Sequence, residues 1–534
     1  MSKLNEVIIE QLLKWKVNRI YSYPGDTILD FLAAVKESPL ELYTTKHEST
    51  AGLMASAESK LSDQLAVCAA HGGPGTANII NGIADAYSDK TPLLLLSGQA
   101  ATKNIDTSYK QMVGQLELTN PLTVYSALVT NPKSIVDLLV KAMTTALTKG
   151  GVSHLAIPMD LWQAETNAQP RDYPTHLEQK IVPEDKVITA AAEEINRAQK
   201  PIILYGRGAK DCATEITKLT EQTNAGLIHS LPAKGIIDGK QTNLLGGLGS
   251  AGNTKSSELL KAADLIIILG STWWPMDYTP RQPRVVQLDS VKENIGATHP
   301  VDVGVMGDLK LSLDKLLSQI EKKNNSAWAR RINEAHQEWL EQLNEKIEKI
   351  AEPLSPQSII NSISEQISDD EIICLDSGDN VVWFGKNFSD QCADILTSGT
   401  WRTMGFALPA ALSAKINRPQ QPVTAIIGDG GLNMVLAELA TAVKYNLPIR
   451  VIVLNNESLA MEKNKMKVAD LPLAEVELSN PDFAQIAQAC GAKGVEIESL
   501  DHLQNILTES KETSEPILLN VPTTAPIPSG TKLH

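Results

Sequence analysis

Basic residues are too few to balance the acids: 48 Lys and Arg stand against 63 Asp and Glu, a formal net charge of −15 at pH 7. A surface of that sign repels phosphate backbones and anionic lipid, which argues against charge-driven binding of nucleic acid or membrane. An anionic small molecule stays compatible, since a pocket can be locally positive. Cysteine is sparse as well. Cys68, Cys212, Cys374, Cys392 and Cys490 lie far apart with no CxxC among them, so neither a disulfide framework nor a zinc knuckle is indicated. Each is expected to be a buried thiol acting as a small hydrophobe. The nine histidines include no HxH or HExxH; His47-Glu48 is followed by Ser-Thr-Ala, so the second ligand of a zinc helix is missing. Long apolar runs are also lacking. Stretches such as residues 93–96 and 265–269 are strand-length rather than membrane-length. The opening MSKLNEVIIEQLLKWK is amphipathic and charged throughout, without the apolar core of a leader. The expectation is a cytoplasmic protein with no stable membrane insertion.

What remains is an ordinary globular composition in a long chain: 534 residues, 43 % apolar and 21 % charged. Short β-branched or Leu-rich runs alternate with helical patterns from end to end, at residues 65–68, 93–96, 202–205, 265–269, 285–288, 372–375, 423–427, 449–454 and 517–521. Such alternation predicts an α/β protein of three doubly wound domains with mainly parallel sheets. Two polar stretches interrupt it. Residues 165–184 contain Gln-Pro-Arg-Asp-Tyr-Pro and read as an extended linker; residues 322–353, rich in Glu, Lys, Asn and Gln, read as a solvated helix and connector. The expected domains are therefore residues 1–164, 185–322 and 353–534. Gly75 precedes Pro92 and the strand LLLLSG by 17 residues, and Gly431 precedes Pro448 and IRVIVLN by the same interval. An internal repeat and the common form of any βαβ unit account for this equally well.

The most informative segment is VTAIIGDGGLNMVLAELATAVKYNLPIRVIVLNNES. It predicts a strand over 423–427, a turn Gly428-Asp429-Gly430-Gly431, a helix over 432–445 and a second strand over 449–454. A right-handed crossover makes the strands parallel, so Asp429 and Asn455-Asn456 converge at one sheet edge, where open α/β sheets bind ligands. A carboxylate from Asp429, an amide oxygen from Asn456 and a carbonyl of the turn near Ser458 suit a Mg²⁺ ion that fills its remaining positions with phosphate and water. Gly430 and Gly431 let the backbone approach closely, and the helix start favours phosphate.

This GDG…NN pattern resembles the thiamine-diphosphate motif. The chain as a whole is similar to the pyruvate oxidase and acetohydroxyacid synthase branch of that superfamily, closest to pyruvate oxidase, through YPGDTILDFL (23–32), KHES (46–49), AHGGPGTANIINGIADA (70–86) and TMGFALPAALSAK (403–415). The resemblance implies a pyrimidine-binding N-terminal domain, a middle domain and a diphosphate-binding C-terminal domain. It makes Glu48 the acid that hydrogen-bonds the pyrimidine, although locally an acid at a helix start needs no other reason. It makes Met404 the apolar wedge between the cofactor's two rings, and Gly378 and Asp379 of DSGD part of the diphosphate loop, where Asp376 and Asp379 read equally as turn residues. Gly25 and Gly73 match backbone turns on the thiazolium and substrate side; Asn78 and His71 are polar neighbours.

The same resemblance implies oxidative decarboxylation of a 2-oxo acid, pyruvate above all, with electrons passed to FAD in the middle domain. There LPAKGIID, GGLGSAGN, LGSTWW, VVQLD and VMGD occur in flavin-domain order, with Asp289 and Asp308 placed for the adenine side. Gly206-Arg207-Gly208 starts like a dinucleotide fingerprint, but Asp211 holds the third glycine position. Flavin-free relatives keep the same domain, so acetolactate synthesis or simple decarboxylation stays open, as does a catalytically silent paralogue. Two departures bear on the substrate. Thr-Ser-Tyr-Lys-Gln follows Asp106 where Phe-Gln-Glu is usual, bringing in Tyr109 and Gln111, and Lys465 stands where a glutamate is common. Glu48 is expected to meet a cofactor held by Asp429 and Asn456 of a neighbouring subunit, in a homodimer or homotetramer with shared active sites.

Overall fold

A computed structural model of the chain describes residues 1–272, 274, 278–344, 353–389 and 394–532. Cys392, Trp273 and residues 345–352 of the second polar stretch lie outside them. Each unbroken apolar run becomes a strand buried on both faces, as a central parallel strand requires. In Leu93–Gln99, Leu93 and Leu95 enter one core while Leu94 and Leu96 enter the opposite one. In Leu265–Leu269, Ile267 and Ile266 divide between two cores in the same way.

The strands build three six-stranded parallel sheets, and the chain folds into three α/β domains. The first sheet runs in space Glu41–Thr44, Arg19–Ser22, Ala66–Ala70, Leu93–Gln99, Val152–Pro158, Tyr125–Leu128. The third runs Asp394–Thr397, Ile372–Leu375, Val423–Gly428, Arg450–Asn455, Ile517–Pro522, Lys493–Glu496. Numbered within each domain, both have the order 2-1-3-4-6-5, so the equal Gly-to-Pro intervals belong to two domains of one topology. The middle sheet runs Leu244–Gly247, Gly226–His229, Pro201–Tyr205, Leu265–Leu269, Arg284–Asp289, Val303–Met306. That is 3-2-1-4-5-6, the order of dinucleotide-binding sheets.

Three local expectations change. The helix expected over 432–445 starts at Asp429 and is broken into Asp429–Val435, a 3₁₀ turn Leu436–Glu438 and Leu439–Lys444. The tight turn coincides with the buried Glu438 reaching into the N-terminal domain, where its carboxylate accepts the Lys46 N–H at 2.9 Å. The stretch read as solvated contains helix Ser326–Asn344, which buries Trp328, Ile332, Ala335 and Trp339 at helical spacing against both faces of the middle sheet. Its many charges hid that stripe. Cys490 is only partly buried, whereas Cys68, Cys212 and Cys374 are buried as expected. The linker starts as a short strand, Glu165–Thr166, paired antiparallel with Ser2–Lys3. Among the described residues no helix is long and apolar enough to cross a membrane.

The first and third domains share one core, in which helix Glu48–Ser62 packs on the Ala-rich helix Ala407–Asn417. On its other side Glu48–Ser62 meets Ile80–Ser88 backbone to backbone: a Cβ on Gly82 would stand 2.6 Å from Gly52 Cα. Gly82→Ala must push those helices apart and is expected to cost about 1–3 kcal/mol, read as a lower denaturation midpoint of the purified variant.

Candidate functional site

In the third sheet Gly428 pairs with Leu454, so the chain leaves the two strands side by side with Asp429 next to Asn455 and Asn456. Leu375 pairs with Ile426 on the other side, which brings Asp376 to the same edge. Strand order reverses between these neighbours, and that opens the crevice in which doubly wound sheets bind ligands. Asp429 is 2 % exposed. Its carboxylate accepts hydrogen bonds from Asn480 Nδ2 at 2.8 Å and from the Gly430 N–H at 2.9 Å, and burial raises its pKa. No lysine or arginine pairs with it among the described residues. Asn456 Oδ1 accepts from the Ser458 N–H at 3.1 Å and from Ser458 Oγ at 3.0 Å. A buried carboxylate without a cation, beside an amide oxygen, fits a hard divalent ion. No cluster of three His, Cys, Asp or Glu is present among the described residues, so this donor set depends on amide, phosphate and water to complete it.

Asp376, read from sequence as a turn residue, holds the site together. Fully buried, it accepts from the Ser377 N–H at 2.8 Å, the Gly405 N–H at 3.0 Å and the Ala407 N–H at 3.0 Å, and so ties the Gly378 loop to the turn that carries Met404. Burial pushes its pKa up to about 7 against those donors. A Cβ on Gly431 would lie 2.9 Å from its Oδ1, and one on Gly430 3.1 Å from Met404 Cε. Gly431 is therefore a steric requirement of this packing, whereas at Gly430 the ends of Leu459 and Met404 would have to shift. Gly378 adopts φ +133°, and burial pushes the neighbouring Asp379 up to about 6, even though Trp383 Nε1 donates to it at 2.6 Å. Asn480 is a partner the sequence reading missed; its one signal is the Ser-Asn-Pro turn after an alternating stretch.

Glu48 opens its helix, 7 % exposed, and accepts from Asn78 Nδ2 at 3.0 Å. A Cβ on Gly75 would stand 3.0 Å from Glu48 Oε1, so a side chain there would crowd that oxygen. Gly25 packs on His71, whose Nδ1 meets Thr27 Oγ1 at 2.9 Å and Asp26 at 3.0 Å; Gly73 takes φ +68° against Gln111. Tyr109 is 39 % exposed beside Asp26 and Lys110.

One cavity of about 1100 Å³ is lined by Gly378, Asp379, Met404, Gly428, Asp429, Gly430, Gly431, Asn456 and Ser458, and extends to Asp289 and Asp308 of the middle domain. Lys465 lines it too, paired with Glu462 at 3.1 Å. Glu48, Gly25 and Gly73 do not line it. At the middle-domain end Asp289 accepts from the Val291 N–H at 2.8 Å and Asn294 Nδ2 at 3.0 Å. Asp308 caps helix Leu309–Leu317 and pairs with Lys180 at 3.0 Å. Gly208 passes so close to Gly270 that a Cβ would meet its carbonyl oxygen at 2.9 Å. Trp274, 2 % exposed, lines the cavity with its indole N–H unpartnered among the described residues.

Comparison with known proteins supplies the context. Three domains of thiamine pyrophosphate enzymes match in order: the N-terminal TPP binding domain over residues 2–118, the central domain over 188–316 and the C-terminal TPP binding domain over 376–521. The protein YdaP of Bacillus subtilis (strain 168), provisionally named as thiamine pyrophosphate-containing, is 32 % identical over 97 % of this chain and 91 % of its own. Pyruvate oxidase of Lactiplantibacillus plantarum is 25 % identical over 98 % and 89 %. The large subunit of acetolactate synthase isozyme 3 of Escherichia coli (strain K12) is 27 % identical over 95 % and 92 %.

Removal of the buried carboxylate tests the cradle. Asp429→Ala is expected to weaken Mg²⁺-dependent binding of thiamine diphosphate by more than the roughly 10–100-fold that loss of an outer partner of a metal site costs, measured by calorimetry with and without the ion.

Proposed function

This chain belongs to the thiamine pyrophosphate enzyme family, and from that premise we propose that it decarboxylates a 2-oxo acid, pyruvate first among candidates, with Mg²⁺-bound thiamine diphosphate and passes the electrons to FAD. The carrying observation is the single cavity running from Asp429 and Asn456 to the switch point of a 3-2-1-4-5-6 sheet. Such an arrangement suits a dinucleotide whose reactive end meets a second cofactor. The Trp274 indole, unpartnered among the described residues, and the side-chain-free lining at Gly208 and Gly270 suit a group entering there. Residues 1–164, 185–322 and 353–534 are the domains of this proposal.

When bound, thiamine diphosphate supplies a carbon nucleophile for the substrate carbonyl and an electron sink as CO₂ departs. The chain's own residues hold and orient. Asp429 supplies the charge for the cation, and Asn456 Oδ1 is the oxygen that ion would take over from the Ser458 hydroxyl. Glu48, held by Asn78, would offer its other oxygen to the pyrimidine and could exchange a proton there. Met404 would pack against the cofactor's rings, and the backbone at Gly378 and Gly431, which lines the cavity, would hold its diphosphate. Lys465 adds a positive charge in the same cavity, suited to a carboxylate or phosphate.

Because Glu48 does not line the cavity of its own chain, a second copy would bring its own Glu48 to complete each site. Exposed Trp401 of the Met404 loop, Met434 of helix Asp429–Val435, and Leu471 and Leu473 after helix Ala460–Val468 are apolar surface suited to such a contact. Flavin-independent acetolactate synthesis is the second reading, favoured by the acetolactate synthases among the relatives.

Two measurements check these statements. Glu48→Gln and Asp429→Ala should each be inactive, yet mixing them with subunit exchange should restore about a quarter of wild-type activity, since half the dimers then carry one intact shared site. No recovery would place each site within one chain. A flavin absorption spectrum in the native protein, with pyruvate-dependent dye reduction, supports the oxidase reading; colourless protein that forms acetolactate supports the second.

A further inference from the structure

The loop joining strand Asp394–Thr397 to helix Ala407–Asn417 carries Met404, and its two halves are held by different domains. Asp376 holds the downstream half through Gly405 and Ala407. The upstream half is gripped by the N-terminal domain of the same chain. Asp89 accepts the Gly399 N–H at 2.9 Å with one carboxylate oxygen and the Thr400 N–H at 2.7 Å with the other. Asn81 accepts from Trp401 Nε1 at 2.9 Å and donates to Thr403 Oγ1 at 3.0 Å. A Cβ on Gly399 would stand 2.9 Å from Asp89 Oδ1, so this backbone lies directly on the carboxylate.

Asp89 is itself held in place. Lys60 Nζ, almost fully buried, lies 2.7 Å from Asp89 and 2.7 Å from the buried Asp85, donates to the Thr397 carbonyl at 3.0 Å and sits 4.6 Å from the Phe406 ring. Ser56 Oγ fixes Asp85 at 2.6 Å. Burial works against charge on Asp89, but the Lys60 ammonium and the two loop amides prevail and hold it below the ordinary carboxylate range.

We propose that Asp89, balanced by Lys60, is a positioning residue that sets the place of Met404 through the Gly399 and Thr400 amides, and with it the ring geometry of the bound cofactor. This rests on the reading of Met404 as the wedge between the rings. A carboxylate spanning two successive amides fixes both the position and the direction of the backbone, which a purely apolar contact does not. Displacement of a positioned group by about 1 Å costs up to a hundredfold in rate without requiring loss of affinity.

Asp89→Asn keeps the size but removes the charge and turns one acceptor into a donor facing an N–H. In the cofactor-free protein, amide hydrogen exchange over residues 398–404 should speed up by about tenfold. In the loaded protein, exchange of the thiazolium C2 proton, followed by NMR, should slow by about tenfold or more, while affinity for Mg²⁺ and thiamine diphosphate stays within about threefold. Asn81→Ala leaves the Lys60 cluster intact and should produce the same split in weaker form, so the test survives if Asp89→Asn fails to fold. Met404→Ala is the reference. If it slows C2 exchange while Asp89→Asn and Asn81→Ala do not, the clamp is overturned and the wedge stands. If affinity, thermal midpoint and C2 exchange all fall together, Asp89 is domain glue and the clamp is again overturned. Wild-type protein that binds no thiamine diphosphate overturns the clamp and the proposed function together.

Discussion

Asp429 is buried at a sheet edge, hydrogen-bonded to Asn480 and Gly430, and without a lysine or arginine partner among the described residues, so its charged form is disfavoured unless a cation joins it. Isolated buried carboxylates are expensive unless they are paired or bind a cation. The surrounding structure keeps this one buried and open on one side. Strand register sets Asn456 beside it, Gly430 and Gly431 keep side chains off it, and Asp376 fixes the flanking turns. Those features have a common origin in the reversal of strand order at that edge, which leaves a crevice no helix can fill.

Three sheets supply three such crevices. Gly25 and His71 lie at the first, Gly208 and Gly270 at the second, and Asp376 and Asp429 at the third. The first and third domains share the order 2-1-3-4-6-5 and one hydrophobic core, while the middle domain has a different order and meets both in one cavity, to which the first contributes Lys60 and Asp89. This division suits a large cofactor gripped at two ends and a second group approaching from the side.

Much of this was legible because parallel strands advertise themselves. Continuous apolar runs such as 265–269 and 372–375 match the observed strands residue for residue. Edge strands were harder: Tyr125–Leu128 and Lys493–Glu496 are short and half-exposed, so their composition does not stand out. Helix Ser326–Asn344 is expected as a helix, but its charge count hides the buried stripe of Trp328, Ile332, Ala335 and Trp339. At the site, a local motif points to Asp429 and Asn456, whereas residues defined by tertiary contact carry no such pattern. Asp376 and Asp89 look like ordinary turn or helix-end acids in sequence. Their significance lies in amides 29 to 31 and some 310 residues away, which no local pattern encodes.

The position of helix Glu48–Ser62 gives this arrangement its logic. Packed on Ala407–Asn417 of its own chain, it is anchored against the element that follows Met404, and its first residue stays out of the cavity that holds Asp429. One N-terminal domain thus has two outlets. Through Asp89, Asn81 and Lys60 it holds the Met404 loop within the chain; through Glu48 it would present an acid to a second copy. Assembly would then join two half-sites that are each already rigid. Rigid halves lose little conformational entropy on association, which is what positioning a reactive group to within a fraction of an ångström demands. The buried Lys60–Asp85–Asp89 cluster fits that demand. Removing one partner of a buried ion pair leaves an uncompensated charge, so the cluster resists partial opening and keeps the brace either fully formed or absent.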